Sequence, residues 1–172
     1  ALAQGIVASG AVMHYLAETQ HHKLQHITAI ERILEGDYVW MDKFTIRNLE
    51  LIGNGADKKG LLEILDHTKS PMGARLLKRW LIFPLQSIAQ INARLNAVDY
   101  LIQSKEERTQ SSALIESCGD LERLAIKLAS RKIQPRELQQ LGKSLEAVSS
   151  VKSIYAGCKN EYLHQLSNQL TN

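Results

Sequence analysis

Aromatic side chains make up only 5% of this 172-residue sequence, proline occurs three times and cysteine twice. Each shortage removes a class of protein. A β-sandwich draws on many aromatic and β-branched strands, whereas this composition suits helices packed on abundant Leu and Ile. The two cysteines, Cys118 and Cys158, lie far apart with no CxxC pairing, which excludes a disulfide scaffold and a cysteine-paired zinc site. They read as free thiols in a reducing compartment. No apolar run reaches the ~20 residues of a membrane span. The small, apolar opening stretch 1–17 is shorter than that, contains Gln4, His14 and Tyr15, and lacks both an initiator Met and the basic leader of a signal peptide. It reads as a buried helix. Internal repeats and low-complexity stretches are lacking too. The net charge of +3 and pI near 8.9 permit contact with nucleic acid without arguing for it.

What is present is ordinary for a globular domain: 44% apolar and 23% charged residues. The length fits one domain, or one domain with a protruding arm, and a compact chain of this size buries roughly 70% of its unfolded surface. A core is therefore expected without disulfides or metals. Both ends read as cut from a longer polypeptide.

Leu2, Ile6, Met13 and Leu16 share a helical face over residues 2–20. Residues 27–34 and 38–41 are rich in β-branched and aromatic side chains around a Glu35-Gly36-Asp37 turn, which predicts a small hairpin near 27–41. Asp42 caps a short helix to Leu51. Gly53-Asn54-Gly55 and Gly60 bracket a loop, and a short helix follows from Leu61 to Asp66. Ser70 and Pro71 start the next helix, with Leu76, Leu77, Trp80 and Leu81 as its apolar face and Pro84 beyond its end. Ser87 and Gln90 form a capping box, after which Ile88, Ile91, Leu95, Val98 and Leu101 give the strongest amphipathic pattern in the chain. A weaker helix covers about 105–116, and Asp120 caps another carrying Leu121, Leu124 and Leu128. From Pro135, a narrow seam of Leu138, Leu141, Leu145, Val148 and Val151 runs to Gly157. A helical pattern then continues through Leu163, Leu166 and Leu170, predicting a projecting, coiled-coil-like arm.

No motif meets the requirements of a catalytic or metal site. Gly55 and Gly60 have phosphate-loop separation, but Leu61 and Leu62 stand where Lys and Ser or Thr must reach the phosphates and magnesium. His14, His21, His22 and His26 cluster without a cysteine near in sequence, so helix-end histidines are favoured over a zinc site. No serine sits in a nucleophile-elbow pattern, and Cys118 before the Asp120 cap is a coincidence expected by chance. The basic groups Arg75, Lys78, Arg79 and Arg131, Lys132, Arg136 could neutralise phosphates, yet three charges on a helix face are more often solvated surface or an interdomain contact. Trp80 could stack on a base, but it shares the leucine face. Core is the expectation, with Trp80→Ala costing roughly 3–5 kcal/mol.

Three segments, taken in order and spacing, carry a specific resemblance. They are Met41-Asp42-Lys43-Phe44-Thr45-Ile46-Arg47-Asn48-Leu49-Glu50-Leu51; Leu61 through Leu81, with Pro84-Leu85, Ile91 and Arg94 after it; and Asp120-Leu121-Glu122-Arg123-Leu124, with Pro135-Arg136-Glu137-Leu138 following. Together they resemble the core domain of the MutS family of DNA mismatch-recognition proteins, and the likeness extends over the opening 1–33. The resemblance implies a mainly α, multi-helical core over 1–133, with 134–172 leading out as lever-like helices. It also implies a scaffold linking mismatched-DNA binding to an ATPase that lies elsewhere. The family's Phe-x-Glu mismatch reader is absent here, since Phe44 precedes Thr-Ile and Phe83 precedes Pro-Leu, and so is the Walker motif. Ser70 stands where Thr is commoner in the family and caps equally well. For the full-length protein the resemblance implies mismatched double-stranded DNA, ATP with magnesium, a second MutS subunit and a downstream repair factor as partners, in the cytoplasm and, in a bacterium, at the nucleoid. No catalytic, cofactor or metal residue is expected in this segment.

Asp42, Thr45, Arg47, Asn48, Glu50, Gly73, Arg75 and Trp80 are the expected interdomain or structural positions, with Arg47, Glu50 and Arg75 orienting neighbouring elements. Lys78, Arg79, Arg131 and Lys132 are the weaker DNA-backbone candidates. Arg47 and Glu50 can pair at helical spacing, Leu49 and Leu51 pack, and a neighbouring backbone passes close to Gly73. Two alternatives stay open: a meiotic or anti-recombination MutS relative, and a free-standing helical DNA-binding module.

Overall fold

The computed structural model describes residues 2–19, 27, 29, 36, 38–53 and 59–170. The chain divides into two units, Ala1–Leu34 and Glu35–Asn172. The first contains α1 (Leu2–Glu18). Its Ser9 hydroxyl bonds back to the Gly5 carbonyl at 2.8 Å, and Thr19 Oγ1 donates to the Tyr15 carbonyl at 2.8 Å as the helix ends. Among the described residues no helix is long and apolar enough to cross a membrane.

The second unit carries α2 (Lys43–Asn48), α3 (Leu61–Leu65), α4 (Pro71–Ile82), α5 (Ile88–Gln103), α6 (Lys105–Ser117), α7 (Leu121–Ala129), α8 (Pro135–Tyr155) and α9 (Glu161–Gln169). Each start has a local cause. Asp42 accepts the Thr45 N–H at 2.6 Å, Ser70 the Gly73 N–H at 3.1 Å, and Asp120 the Arg123 N–H at 3.3 Å. Pro71 and Pro135 occupy first-turn positions, where a missing N–H costs nothing. Ser87 accepts from the Gln90 N–H at 3.5 Å, so the serine half of the expected capping box is in place. Asn160 caps α9 by accepting the Leu163 N–H at 3.0 Å.

Helix α8 lies along α6 and α7, and α9 returns onto α8 and α5. The helices after residue 134 therefore pack into the same unit rather than projecting from it, which corrects the expected arm. The reason is in the contact residues: Ser144, Ala147 and Tyr155 of α8 are buried, as are Ser111 of α6, Leu124 of α7, Ala97 of α5 and Ser167 of α9. Most of these are small. Small side chains let helix backbones approach closely, and packing density then follows from contact rather than bulk. The Leu and Ile stripes behave differently. On α5, Leu95 and Val98 are exposed, and on α8 so are Leu138 and Leu145.

The hairpin expected near 27–41 is not supported. Apart from Ile27, Ala29 and Gly36, its first strand and turn lie outside the described residues, and its second segment pairs elsewhere. Tyr38 makes a single antiparallel bridge to Leu85. Val39 N–H donates to the Pro84 carbonyl at 2.8 Å, Gln86 Nε2 donates to the Tyr38 carbonyl at 2.7 Å, and the Tyr38 and Phe83 rings meet edge to face. The backbone groups of 38–39 thus find partners in the turn between α4 and α5.

Candidate functional site

Helices α4 and α7 are not among the main packing pairs of the fold, and the Arg75 side chain bridges them. Arg75 lies one turn into α4. Its Nη1 and Nη2 donate to the two carboxylate oxygens of Asp120 at 2.9 and 2.7 Å, and its Nε donates to Glu122 Oε2 at 2.8 Å. The planar guanidinium fork suits this two-carboxylate grip as an ammonium would not. Asp120 still caps α7 through the Arg123 N–H. The Arg75 side-chain bonds hold the Asp120 carboxyl below its ordinary value, and the Asp120 bonds, then those of Glu122, push the guanidinium further up. Nearby, Lys69 reaches Glu116 at the end of α6 at 3.6 Å. Near the other end of α7, Lys127 pairs with Glu137 of α8, whose other oxygen accepts the Gln134 N–H at 3.1 Å. A chain of charge pairs thus runs from α4 through α7 to α8.

A second knot closes the loop between α2 and α3. Glu50 adopts a left-handed φ of 52°, which lets the Leu51 N–H reach back to the Ile46 carbonyl at 3.2 Å and stop α2. The Leu61 N–H then bonds the Glu50 carbonyl at 2.8 Å, and the Leu62 N–H the Leu51 carbonyl at 3.0 Å. Glu63 turns its carboxylate inward and accepts from the Gly53 N–H at 3.2 Å and the Gly60 N–H at 2.8 Å. Gly60 is sterically required, because a Cβ there would lie 2.6 Å from Gly53 N and 2.7 Å from the Glu50 carbonyl oxygen. An internal carboxylate therefore takes the loop amides that a phosphate would need. Together with Leu61 and Leu62 in place of Lys and Ser or Thr, this leaves the described part of the loop unfit for ATP. Residues 54–58 lie outside the described residues.

The remaining expected residues are placed as follows. Asp42 caps α2 through Thr45, whose backbone and side chain both lower its pKa. Arg47, Asn48 and Glu50 line an open cavity of about 270 Å³ with Lys59, and no Arg47–Glu50 ion pair forms among the described residues, contrary to expectation. Leu51 is buried, but Leu49 is 57% exposed and does not pack. Among the described residues, no backbone atom is among the nearest neighbours of a Cβ added at Gly73. Its nearest neighbours are the Ser70 Oγ and the Thr68 side chain, at 3.3 and 3.4 Å from an added Cβ, so the tight approach is to the helix's own cap. Trp80 is not core. It is 39% exposed, with the Arg94 guanidinium 3.8 Å from its ring centre. A cation over an aromatic face supplies part of the contact that burial was expected to give, so truncation costs less than the full-burial figure.

Lys78 and Arg79 are exposed on α4, and Arg131 and Lys132 at the α7 end, where Arg131 has a φ of 56°. These two pairs sit on different elements. His14 is on α1, while His21, His22 and His26 lie outside the described residues. Among the described residues no group of three or more metal-ligating side chains forms. Burial pushes the Cys118 thiol up, the reverse of activation. The partners Glu122 and Glu116 and the small contacts Ser111, Ser144 and Ala147 were missed by sequence reasoning. Small residues set among larger ones on α6 and α8 were the signal available for the last three.

The family model for MutS domain III matches residues 44–172. The chain belongs to the MutS family. A DNA mismatch repair protein MutS from Christiangramia forsetii is 51% identical over 170 residues, covering 98% of this chain and 20% of that protein. The protein of the same name from Cytophaga hutchinsonii is 47% identical over 97% of this chain, and that from Bacteroides thetaiotaomicron 44% over 98%. The chain spans about a fifth of the length of these MutS relatives. Two of the three segments that carried the resemblance in sequence are joined by the Arg75 grip, which fastens the Leu61–Leu81 segment to Asp120-Leu121-Glu122.

Proposed function

We propose that this segment is the coupling scaffold of a MutS-type mismatch-repair protein, relaying between a site that binds mismatched duplex DNA and an ATPase, both built from residues outside 1–172. In this reading the core includes α8 and α9, which pack on α5, α6 and α7, and the helices of 134–172 connect it towards the lever. A second MutS subunit and a downstream repair factor are partners of the parent protein. The ATP and magnesium belong to the parent as well, a reading supported by Glu63, whose carboxylate takes the Gly53 and Gly60 amides in the described part of the glycine-spaced loop.

The observation that supports this reading is the Arg75 grip. It joins two helices that are not among the main packing pairs of the fold, through three charge-assisted hydrogen bonds with fixed geometry. Such a joint has two discrete states, made or broken, which is what a relay needs and what a continuously deformable contact lacks. The test uses the full-length parent protein carrying Arg75→Ala. Affinity for mismatched duplex and basal ATP turnover should each stay within about twofold of the unmodified protein, while stimulation of turnover by mismatched duplex falls by about fivefold or more, the size of a typical coupling energy. Unchanged stimulation would remove the coupling role for this joint.

A further inference from the structure

Arg75 can grip Asp120 only if the turn before Asp120 aims its carboxylate at α4. That turn, which links α6 to α7, is built against α8. Gln140 and Ser144 lie one helical turn apart on α8 and so share a face. Gln140 Nε2 donates to the Ser117 carbonyl at 3.3 Å, the Cys118 thiol donates to the Ser144 carbonyl at 3.8 Å, and the Gly119 N–H donates to Ser144 Oγ at 3.0 Å. The three residues before Asp120 are thus each bonded to α8. The approach is close, since a Cβ on Gly119 would lie 3.2 Å from Gln140 Cγ. Ser144 is wholly enclosed, and its hydroxyl is fixed further by donating to the Gln140 carbonyl at 2.8 Å. An enclosed hydrogen bond keeps its geometry because no water stands ready to replace the partner. The Lys127–Glu137 pair also ties α7 to α8. It acts about two helical turns beyond Asp120, so it sets where α7 lies and not where the residue before its first turn points.

We propose that Ser144 and Gln140 are positioning residues: through the turn at 117–119, α8 sets whether Asp120 meets Arg75. The consequence for ATP turnover rests on the reading of the Arg75 grip as the coupling joint. Among the described residues neither Ser144 nor Gln140 is hydrogen-bonded to Asp120 or Arg75, so each acts through the turn. A displacement of α8 against α6 then reaches α4 through bonded atoms, from Ser144 to Gly119, along the chain to Asp120, and across to Arg75. The grip is exposed on its Arg75 and Glu122 side, whereas the Ser144 contact that governs it is enclosed. The joint can therefore open to solvent while the element that aims it stays rigid.

The experiment uses the full-length protein carrying Ser144→Ala, Gln140→Met, Arg75→Ala or, as a control, Tyr155→Phe. Gln140→Met keeps the side-chain length and removes the donor to Ser117, so it repeats the test with the enclosed serine intact. Tyr155 lies on α8 about 16 Å from Ser144 at 1.5 Å per residue. Its hydroxyl shares a buried 2.8 Å bond with Ser111 of α6, so Tyr155→Phe loosens the same pair of helices without touching the turn. The first readout is hydrogen exchange of the Arg123 amide, whose side-chain acceptor is Asp120, resolved by overlapping peptides. Ser144→Ala and Gln140→Met should each quicken it by about threefold or more, and Tyr155→Phe by less than about twofold. Unchanged exchange in the first two, or equal quickening in the control, overturns the proposal. The second readout is stimulation of ATP turnover by mismatched duplex. Ser144→Ala should lose as much of it as Arg75→Ala does, about fivefold or more, and the double variant should lose no more than either alone. Losses that multiply would reveal two separate routes and overturn it. If Arg75→Ala leaves stimulation unchanged, the coupling role falls, and Arg123 exchange alone decides whether α8 positions Asp120.

Discussion

Arg75 on α4 forks onto both carboxylate oxygens of Asp120, the residue that caps α7, at 2.9 and 2.7 Å. The two residues are 45 positions apart in sequence, and the same carboxylate also accepts the Arg123 N–H. Removing either partner is therefore not equivalent. Asp120→Ala loses the cap and the forked part of the grip and keeps the Glu122 bond, whereas Arg75→Ala loses the whole grip and keeps the cap, so Asp120→Ala should have the lower melting temperature. Once Asp120 is alanine, adding Arg75→Ala should cost only the remaining exposed Glu122 contact, less than it costs alone. Arg75→Lys should fall near Arg75→Ala, because an ammonium keeps the charge and loses the fork. Thermal unfolding of the four variants checks this order; strictly additive losses would show that the two side chains act independently.

Acid should weaken the fold through a definite set of carboxylates. Asp120 is held below its ordinary value by Arg75, Glu137 by Lys127, Asp42 by the Thr45 N–H, and Asp66 by Thr68. A depressed folded pKa adds stability that is complete above the unfolded values of 3.8 and 4.5 and is lost as pH falls through the lower folded value. The melting temperature should be flat near neutrality and decline from about pH 5 downward. Arg75→Ala should make that decline shallower, since Asp120 then titrates nearer its unfolded value. A pH series of melts on both proteins measures the difference.

How much of this could be read from the chain alone depended on how local each interaction is. Asp42, Ser70 and Asp120 were legible as caps because a cap bonds a donor three residues ahead. The Asp120 partner was not legible, since nothing in the Arg75 neighbourhood points 45 positions along the chain. Apolar spacing located helices well and burial badly. Leu95 sits in the strongest stripe and is 57% exposed, whereas Ser144, on a helix read from its leucines, is wholly buried. Periodicity reports that a face wants cover, not which piece of polypeptide covers it. The segment 38–41 has the composition of a strand, but its partner is the turn at 84–86, and composition carries no register.

Gly60→Ala should be among the most damaging single substitutions outside the helix contacts. An added Cβ meets three backbone atoms at 2.6 to 2.7 Å, and backbone does not swing aside as a side-chain tip does. The loop closure at Glu50, Gly53 and Glu63 must then open. Gly157→Ala is the control, because nothing lies within 4 Å of a Cβ there. The first should unfold at a clearly lower temperature and the second should not; equal behaviour would mean the α2–α3 loop relaxes freely.

Arg131 ends α7 in a left-handed conformation at φ 56°, with the Lys132 N–H closing onto the Lys127 carbonyl at 2.8 Å. Glycine favours this position because the strain comes from the Cβ. Arg131→Gly should therefore stabilise the protein, by about 1 kcal/mol or less once the greater freedom of the unfolded glycine is counted. Arg131→Val should destabilise it, since a β-branched side chain tolerates this region least. Denaturant midpoints decide both signs.

Ser144 is the most fully enclosed side chain on α8, and its hydroxyl does two jobs. It donates to the Gln140 carbonyl at 2.8 Å and accepts the Gly119 N–H at 3.0 Å. The second bond matters more, because the Gly119 amide lies in the turn that delivers Asp120 to Arg75. Ser144→Ala leaves that half-buried N–H without its acceptor, at a cost of about 1–3 kcal/mol, while the lost Gln140 bond is a neutral extra on a carbonyl already in a helix. Ser144→Cys accepts only weakly and must fit a larger sulfur into a fully enclosed site, so it should be no more stable than alanine. If the turn at 118–120 depends on this acceptor, amide exchange at Gly119 should quicken in Ser144→Ala by more than the global loss of stability accounts for. Exchange that tracks global stability alone would show that the turn is held by Arg75 and not by α8.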